Sequence, residues 1–136
     1  MSKKDNRTTK EHFRIFQDEA QYWIERFGLK NWRIVFTHEK WDHEESSYAN
    51  YGYNAEDRNV TINLEPDWQD EKVTEYQLRR SAFHEVVHVL LCRLRYLALC
   101  RTLGRLEIDE ELHTVIRIME NAVWEPEQER KCQPQG

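Results

Sequence analysis

From Thr74 to Arg101 the chain contains neither glycine nor proline, and leucine, arginine and alanine recur throughout. Nothing in this stretch breaks a helix, and Thr74 with Gln77 forms a capping-box pattern at its start. A helix of about seven turns is roughly 40 Å long. That is long for a chain of 136 residues, which is the size of one domain with one hydrophobic core. The helix must therefore be the central element, with the rest of the chain packed around it.

The flanking segments supply that packing. Thr8 with Glu11 makes an earlier capping-box pattern, and Phe13, Phe16, Ala20, Trp23, Ile24 and Phe27 follow at helical spacing up to Gly28. This predicts a helix over 9–27. In "NWRIVFTHEK" Trp32, Ile34 and Phe36 alternate, as in a strand, and "WDHEESS" reads as a loop. "YANYGYNAED" suits a second strand through Tyr48, Tyr51 and Tyr53, with a bulge at Gly52. Val60, Ile62 and Leu64 alternate in a third strand that Pro66 ends. Short links predict a three-stranded antiparallel meander.

After the break at "TLGR", Ile108, Leu112, Val115, Ile116, Met119 and Val123 form the apolar stripe of a last helix closed by Pro126. The expected fold is α+β: an N-terminal helix, a three-stranded antiparallel sheet, the long central helix and a C-terminal helix antiparallel to it. Residues 9–125 form the single domain, 1–8 a disordered tail and 126–136 a polar tail.

With 20 basic and 25 acidic side chains the net charge is −5, which weighs against nucleic-acid binding. The basic tip "MSKKDNRTTK" reads as a solvated tail. No apolar run approaches the roughly 20 residues that span a bilayer, and the N-terminal residues carry no segment of signal-peptide type. Cys92, Cys100 and Cys132 are an odd number, and the first two lie too far apart on one helix to bridge. A reduced, cytoplasmic setting is expected. Trp41 and Trp68 are expected at the surface.

The central helix carries "SAFHEVVHVLL". Residues four apart share a helix face, so His84 and His88 can offer two imidazoles to one point. Zinc takes such nitrogens at about 2.0–2.1 Å. Glu85 is rotated about 100° from His84; it suits the proton of an attacking water better than the metal. The neighbours Ala82, Phe83, Val86, Val87, Val89, Leu90 and Leu91 predict a segment buried nearly all round, where polar groups need partners. The competing account is of two core histidines bonded to backbone carbonyls, with Glu85 at the surface.

A catalytic zinc takes three protein ligands and keeps one position open. Counting back from a turn near 103–106 at 1.5 Å per residue sets His88 opposite roughly 118–124, where Glu120 is the metal-binding side chain. Glu110, Glu111 and His113 compete only if the central helix ends early. Cys92 continues the His84–His88 face but lies two turns from His84, and reads as a buried apolar thiol.

"HEVVH" followed by "IRIMEN" on a later helix resembles the zincin metallopeptidases, in particular their glutamate-ligand branch, the gluzincins. The order of elements over roughly 10–124 is similar to their minimal catalytic core and to the short SprT-like and ImmA-like metallopeptidases of phages and mobile elements. The resemblance implies His84, His88 and Glu120 as zinc ligands and Glu85 as general base and proton shuttle. It also implies an extended peptide or protein substrate paired with the strand "NVTINL" beside the cleft. "HEVVHVLLCRL" lacks the third histidine of the metzincin branch, and the spacing to Glu120 is longer than in many gluzincins. Tyr51, Tyr53, His113 and Arg117 are candidates for stabilising the oxyanion. The expected function is zinc-dependent peptide hydrolysis; the alternative is a non-catalytic binding or adaptor domain of the same fold with a structural or vestigial metal.

Overall fold

Thr9 caps the first helix, one residue later than the capping pattern predicted. Its hydroxyl accepts from the His12 N–H while His12 Nδ1 accepts from the Thr9 N–H, a reciprocal cap. In the computed structural model, which describes residues 3–41, 48–54, 56–100 and 104–132, helix α1 then runs Lys10–Phe27. It stops at Gly28, whose φ of 65° is the left-handed conformation open to glycine. Phe16, Ala20, Ile24 and Phe27 are its buried stripe, as the periodicity predicted.

Residues 3–8 are not a free tail. A 3₁₀ turn spans Lys3–Asn6. The N–H groups of Val73 and Trp68 donate to the carbonyls of Asp5 and Asn6 at 2.9 and 2.8 Å, and the Thr8 N–H donates to Pro66 O at 2.8 Å. The backbones of Arg7 and Asp67 pair as an isolated antiparallel β-bridge. Polar side chains made this segment read as solvated, but its backbone finds partners in the 65–73 segment.

The sheet is mixed, not an antiparallel meander. Strands β1 (Arg33–Thr37), β2 (Ala49–Asn54) and β3 (Asn59–Leu64) lie in the order β1-β3-β2, with β1 parallel and β2 antiparallel to β3. The physical reason lies in β3. Val60, Ile62 and Leu64 are buried on the helix face, and Asn63 and Glu65 are buried on the other. A strand covered on both faces belongs in the centre. Asn63 also fastens the crossing between β1 and β2. Its side chain accepts from Thr37 Oγ1 and the Glu39 N–H, and donates to Glu39 O and Asn50 Oδ1. Glu65 Oε1 accepts from the Trp41 N–H and Asn50 Nδ2. Gly52 makes no bulge; it pairs regularly with Thr61, and the Trp41 ring passes over it. The loop expected at "WDHEESS" lies almost wholly outside the described residues.

Helix α2 (Glu75–Leu99) begins at the predicted cap, where the Thr74 hydroxyl accepts from the Gln77 N–H. It packs against α1, β2 and the following helix. Leu78, Ala82, Val86 and Val89 enter the core with Phe16, Ile62 and Leu64; apart from the alanine, each such side chain stabilises the fold by about 1.5–3 kcal/mol. The motif segment is one-sided, not buried all round: Phe83, His84 and Leu91 are exposed. Trp68, expected at the surface, is 3% exposed and donates from Nε1 to Tyr48 O.

Helix α3 (Arg105–Met119) leads through a π-helical turn (Glu120–Trp124) into α4 (Glu125–Cys132). Pro126 therefore does not close the last helix. Proline has no N–H for the carbonyl four residues back, here Ala122, and its ring crowds that carbonyl. The wider turn relieves the conflict, and the Ala122 carbonyl accepts from Arg26 Nε of α1 at 3.1 Å. The polar tail is helical to Cys132, and 133–136 lie outside the described residues. Most of the predicted stripe is not buried: Val115 packs on the core together with Ile118, which the stripe did not include, while Leu112, Ile116, Met119 and Val123 are exposed. Among the described residues no helix is long and apolar enough to cross a membrane.

Candidate functional site

His84 and His88 lie one turn apart on α2, and that spacing brings their rings together. The two Nε2 atoms are 3.2 Å apart, with ring centroids at 4.9 Å and planes at 67°. Two nitrogens bound to one tetrahedral zinc at about 2.0–2.1 Å stand about 3.3–3.4 Å from each other. The pair therefore fits a shared ion, and without one the same separation suits an N–H···N hydrogen bond between the rings. Burial, then the neighbouring His84, then Arg95, hold the His88 pKa below the ordinary imidazole value.

Glu85, the residue after His84, is buried. The residue is 6% exposed, and its Oε2 has no hydrogen-bond partner among the described residues. Burial pushes its pKa up to about 7. A buried carboxylate oxygen without a donor is costly. It is the feature of α2 that packing alone does not account for.

Glu85 and His84 line a cavity of about 690 Å³. Gln77, Arg80 and Ser81 of α2, Tyr48 and Ala49 at the start of β2, and the 68–71 segment complete its lining. The N-terminal residues fasten that last segment through the Trp68 N–H, which donates to Asn6 O. Thr8 Oγ1 donates to Glu65 O at 2.9 Å, so the His38 ring, 2.6 Å away at Nε2, donates to the same hydroxyl.

Strand β2 supplies the other boundary of the histidine pair. The Tyr51 ring stacks on His88 at 4.5 Å and 16°, and burial raises the Tyr51 pKa. Tyr53, on the same face of β2, accepts from Arg95 Nη1 at 2.8 Å. The resemblance named Asn59–Leu64 as the strand bordering the cleft. That strand is central, paired on both sides, and the strand beside His88 is Ala49–Asn54 at the sheet edge.

The predicted third ligand is not assembled with the pair. Arg93 of α2 meets Glu111 of α3 at 3.5 Å, and Ala122 meets Arg26 near the end of α1 whose Phe27 touches Phe83. α3 thus returns antiparallel along α2, as expected, and by this register Glu120 is level with about His84. Its side chain is nevertheless exposed. Among the described residues no group of three or more His, Cys, Asp or Glu side chains converges as a metal site needs. Glu111 lies nearer the α2 surface, close enough to add to the effect of burial, the larger cause, in pushing the Cys92 pKa up to about 11. Glu110 is exposed, and His113 bonds to Asp109 O of its own helix. Cys92 is buried, in keeping with an apolar thiol, and all three cysteines are free. The stacking partner Tyr51 stood in the sequence as a residue of the second strand and as one of four oxyanion candidates; its alternation with Tyr53 was the signal that both share a face. The chain matches no family model, no curated protein and no solved structure.

Proposed function

We propose that the chain is a zinc-dependent peptidase of zincin type. The observation that carries this reading is the pair of imidazole nitrogens 3.2 Å apart next to a buried glutamate that lines a cavity and whose Oε2 has no hydrogen-bond partner among the described residues. His84 and His88 would hold the metal, with a carboxylate from α3, Glu120 or Glu111, completing the donor set. A zinc ion held there would supply acidified water and polarisation of the amide carbonyl.

The protein's own groups do the rest. Glu85 takes the proton of the attacking water and hands it to the leaving amine. The outer edge of β2 offers backbone groups to an extended peptide, while the cavity receives a flanking side chain. A reducing, cytoplasmic setting suits the three free thiols.

The second reading is a non-catalytic binding domain of this fold, favoured by the lack of a converged third donor among the described residues. The variant Glu85→Gln separates the two readings. It is expected to retain about one zinc per chain and to lose hydrolysis of an unstructured protein substrate by 10²-fold or more. Equal cleavage by parent and variant would end the peptidase reading.

A further inference from the structure

A metal-binding imidazole ordinarily has its second ring nitrogen fixed by a carboxylate or backbone carbonyl, which sets the ring's orientation. Among the described residues neither Nδ1 of the pair has such a partner; their recorded hydrogen bond is Nε2 to Nε2. Something else must hold His88 in place.

The Tyr51 ring lies nearly parallel to the His88 ring at 4.5 Å. It is itself held by its backbone and by a neighbouring ring. Its backbone is paired opposite Ile62 in the centre of the sheet. Its outer neighbour Tyr53 lies parallel to it at 6.1 Å and 8°. Tyr53 in turn accepts from Arg95 Nη1, whose guanidinium is 5.8 Å from the Tyr53 ring centre. Arg95 is seven residues beyond His88, two turns along the same face of α2. The contacts thus form a closed path from α2 to β2 and back, with His88 at one end and Arg95 at the other.

We propose that Tyr51 is a positioning residue for the imidazole pair: its ring, clamped against His88, keeps Nε2 directed at His84 so that both nitrogens meet one divalent cation. This role rests on the metal-binding reading of His84 and His88. It differs from oxyanion stabilisation because it uses the face of the ring and not the hydroxyl. Tyr51→Phe must therefore preserve it, and Tyr51→Leu must abolish it.

Two measurements on the chelator-treated, full-length protein test this. In NMR spectra of the metal-free chain, the His88 ring protons should be shifted upfield by the stacked ring in the parent and in Tyr51→Phe. They should return to ordinary positions in Tyr51→Leu. In titrations with zinc or cobalt(II), Tyr51→Phe should bind like the parent and Tyr51→Leu about 10–100-fold more weakly. If Leu at this position prevents folding, Tyr51→Thr replaces it, since threonine suits a strand. Equal affinity of the parent and the leucine variant overturns the proposal. So does a loss in Tyr51→Phe as large as in Tyr51→Leu, because the hydroxyl would then be responsible. A parent that takes up no metal, with the stacking shifts intact, ends the metal reading of the histidines and this role with it.

Discussion

Glu85 destabilises the fold it sits in, and the sign of that effect can be worked out. Its carboxyl titrates near 4.5 in the unfolded chain and near 7 when buried. Below pH 4.5 both states hold the proton and the group costs little. As pH rises from 4.5 to about 7, the unfolded chain releases the proton while the folded chain keeps it, so stability falls, and above about 7 the loss is complete. The interval corresponds to about 3 kcal/mol as an order of magnitude. Glu85→Gln removes the ionisation. In chelator, urea unfolding of the variant should lack the parent's loss of stability over this interval and show a gain of about 1–3 kcal/mol at pH 8. Parallel profiles for parent and variant would show that the carboxylate is solvated after all. The motif was readable because a helix fixes what lies four residues apart. The burial of Glu85 beside an exposed His84 was not, because the apolar neighbours do not say which faces α1 and the sheet will cover.

Among the elements, helices were more legible than the sheet. Periodicity, a threonine cap and a glycine stop are local signals, and they placed α1 and α2 within a residue or two. Strand order is decided by contacts between distant residues, and the sequence reading of this strand used only its apolar alternation, Val60, Ile62 and Leu64. The polar residues between and after them include Asn63 and Glu65, whose side chains hold the β1–β2 crossing. Replacing Asn63 by Ala leaves the Thr37, Glu39 and Asn50 groups without their buried partner. It should cost about 3 kcal/mol in urea unfolding and release amide-exchange protection at Glu39.

The π turn gives a second element-scale prediction, testable by a double-mutant cycle. Arg26→Ala removes the side-chain donor to the Ala122 carbonyl and should cost about 1 kcal/mol. In the Pro126→Ala background the new N–H at 126 can satisfy that carbonyl, so the same change should cost much less. Additive losses would mean that Arg26 matters for another reason.

At the scale of the whole molecule, the candidate site is inseparable from the fold. α2 contacts α1, β2 and α3, and both histidines lie on it. A ligand gripped by His84, His88 and a carboxylate of α3 would therefore tie together elements that separate only on global unfolding. Anything that binds the native state alone stabilises it by RT ln(1 + [L]/Kd), about 2.7 kcal/mol when free ligand is a hundredfold above Kd. Zinc added to chelator-treated protein should raise the unfolding midpoint by a corresponding amount, and His84→Ala should remove the effect.

The carboxylate donor follows from the same experiment. Glu120 stands level with the pair but faces outward, whereas Glu111 is drawn towards α2 by Arg93. If Glu120 is the donor, Glu120→Gln should abolish most of the zinc shift while Glu111→Gln retains it, and the π turn must then rotate Glu120 inward on binding. If Glu111 is the donor, the pattern reverses, and Arg93→Ala should strengthen binding by freeing the carboxylate. A zinc shift unaffected by either substitution would leave only the two imidazoles, too few donors for a resident catalytic ion.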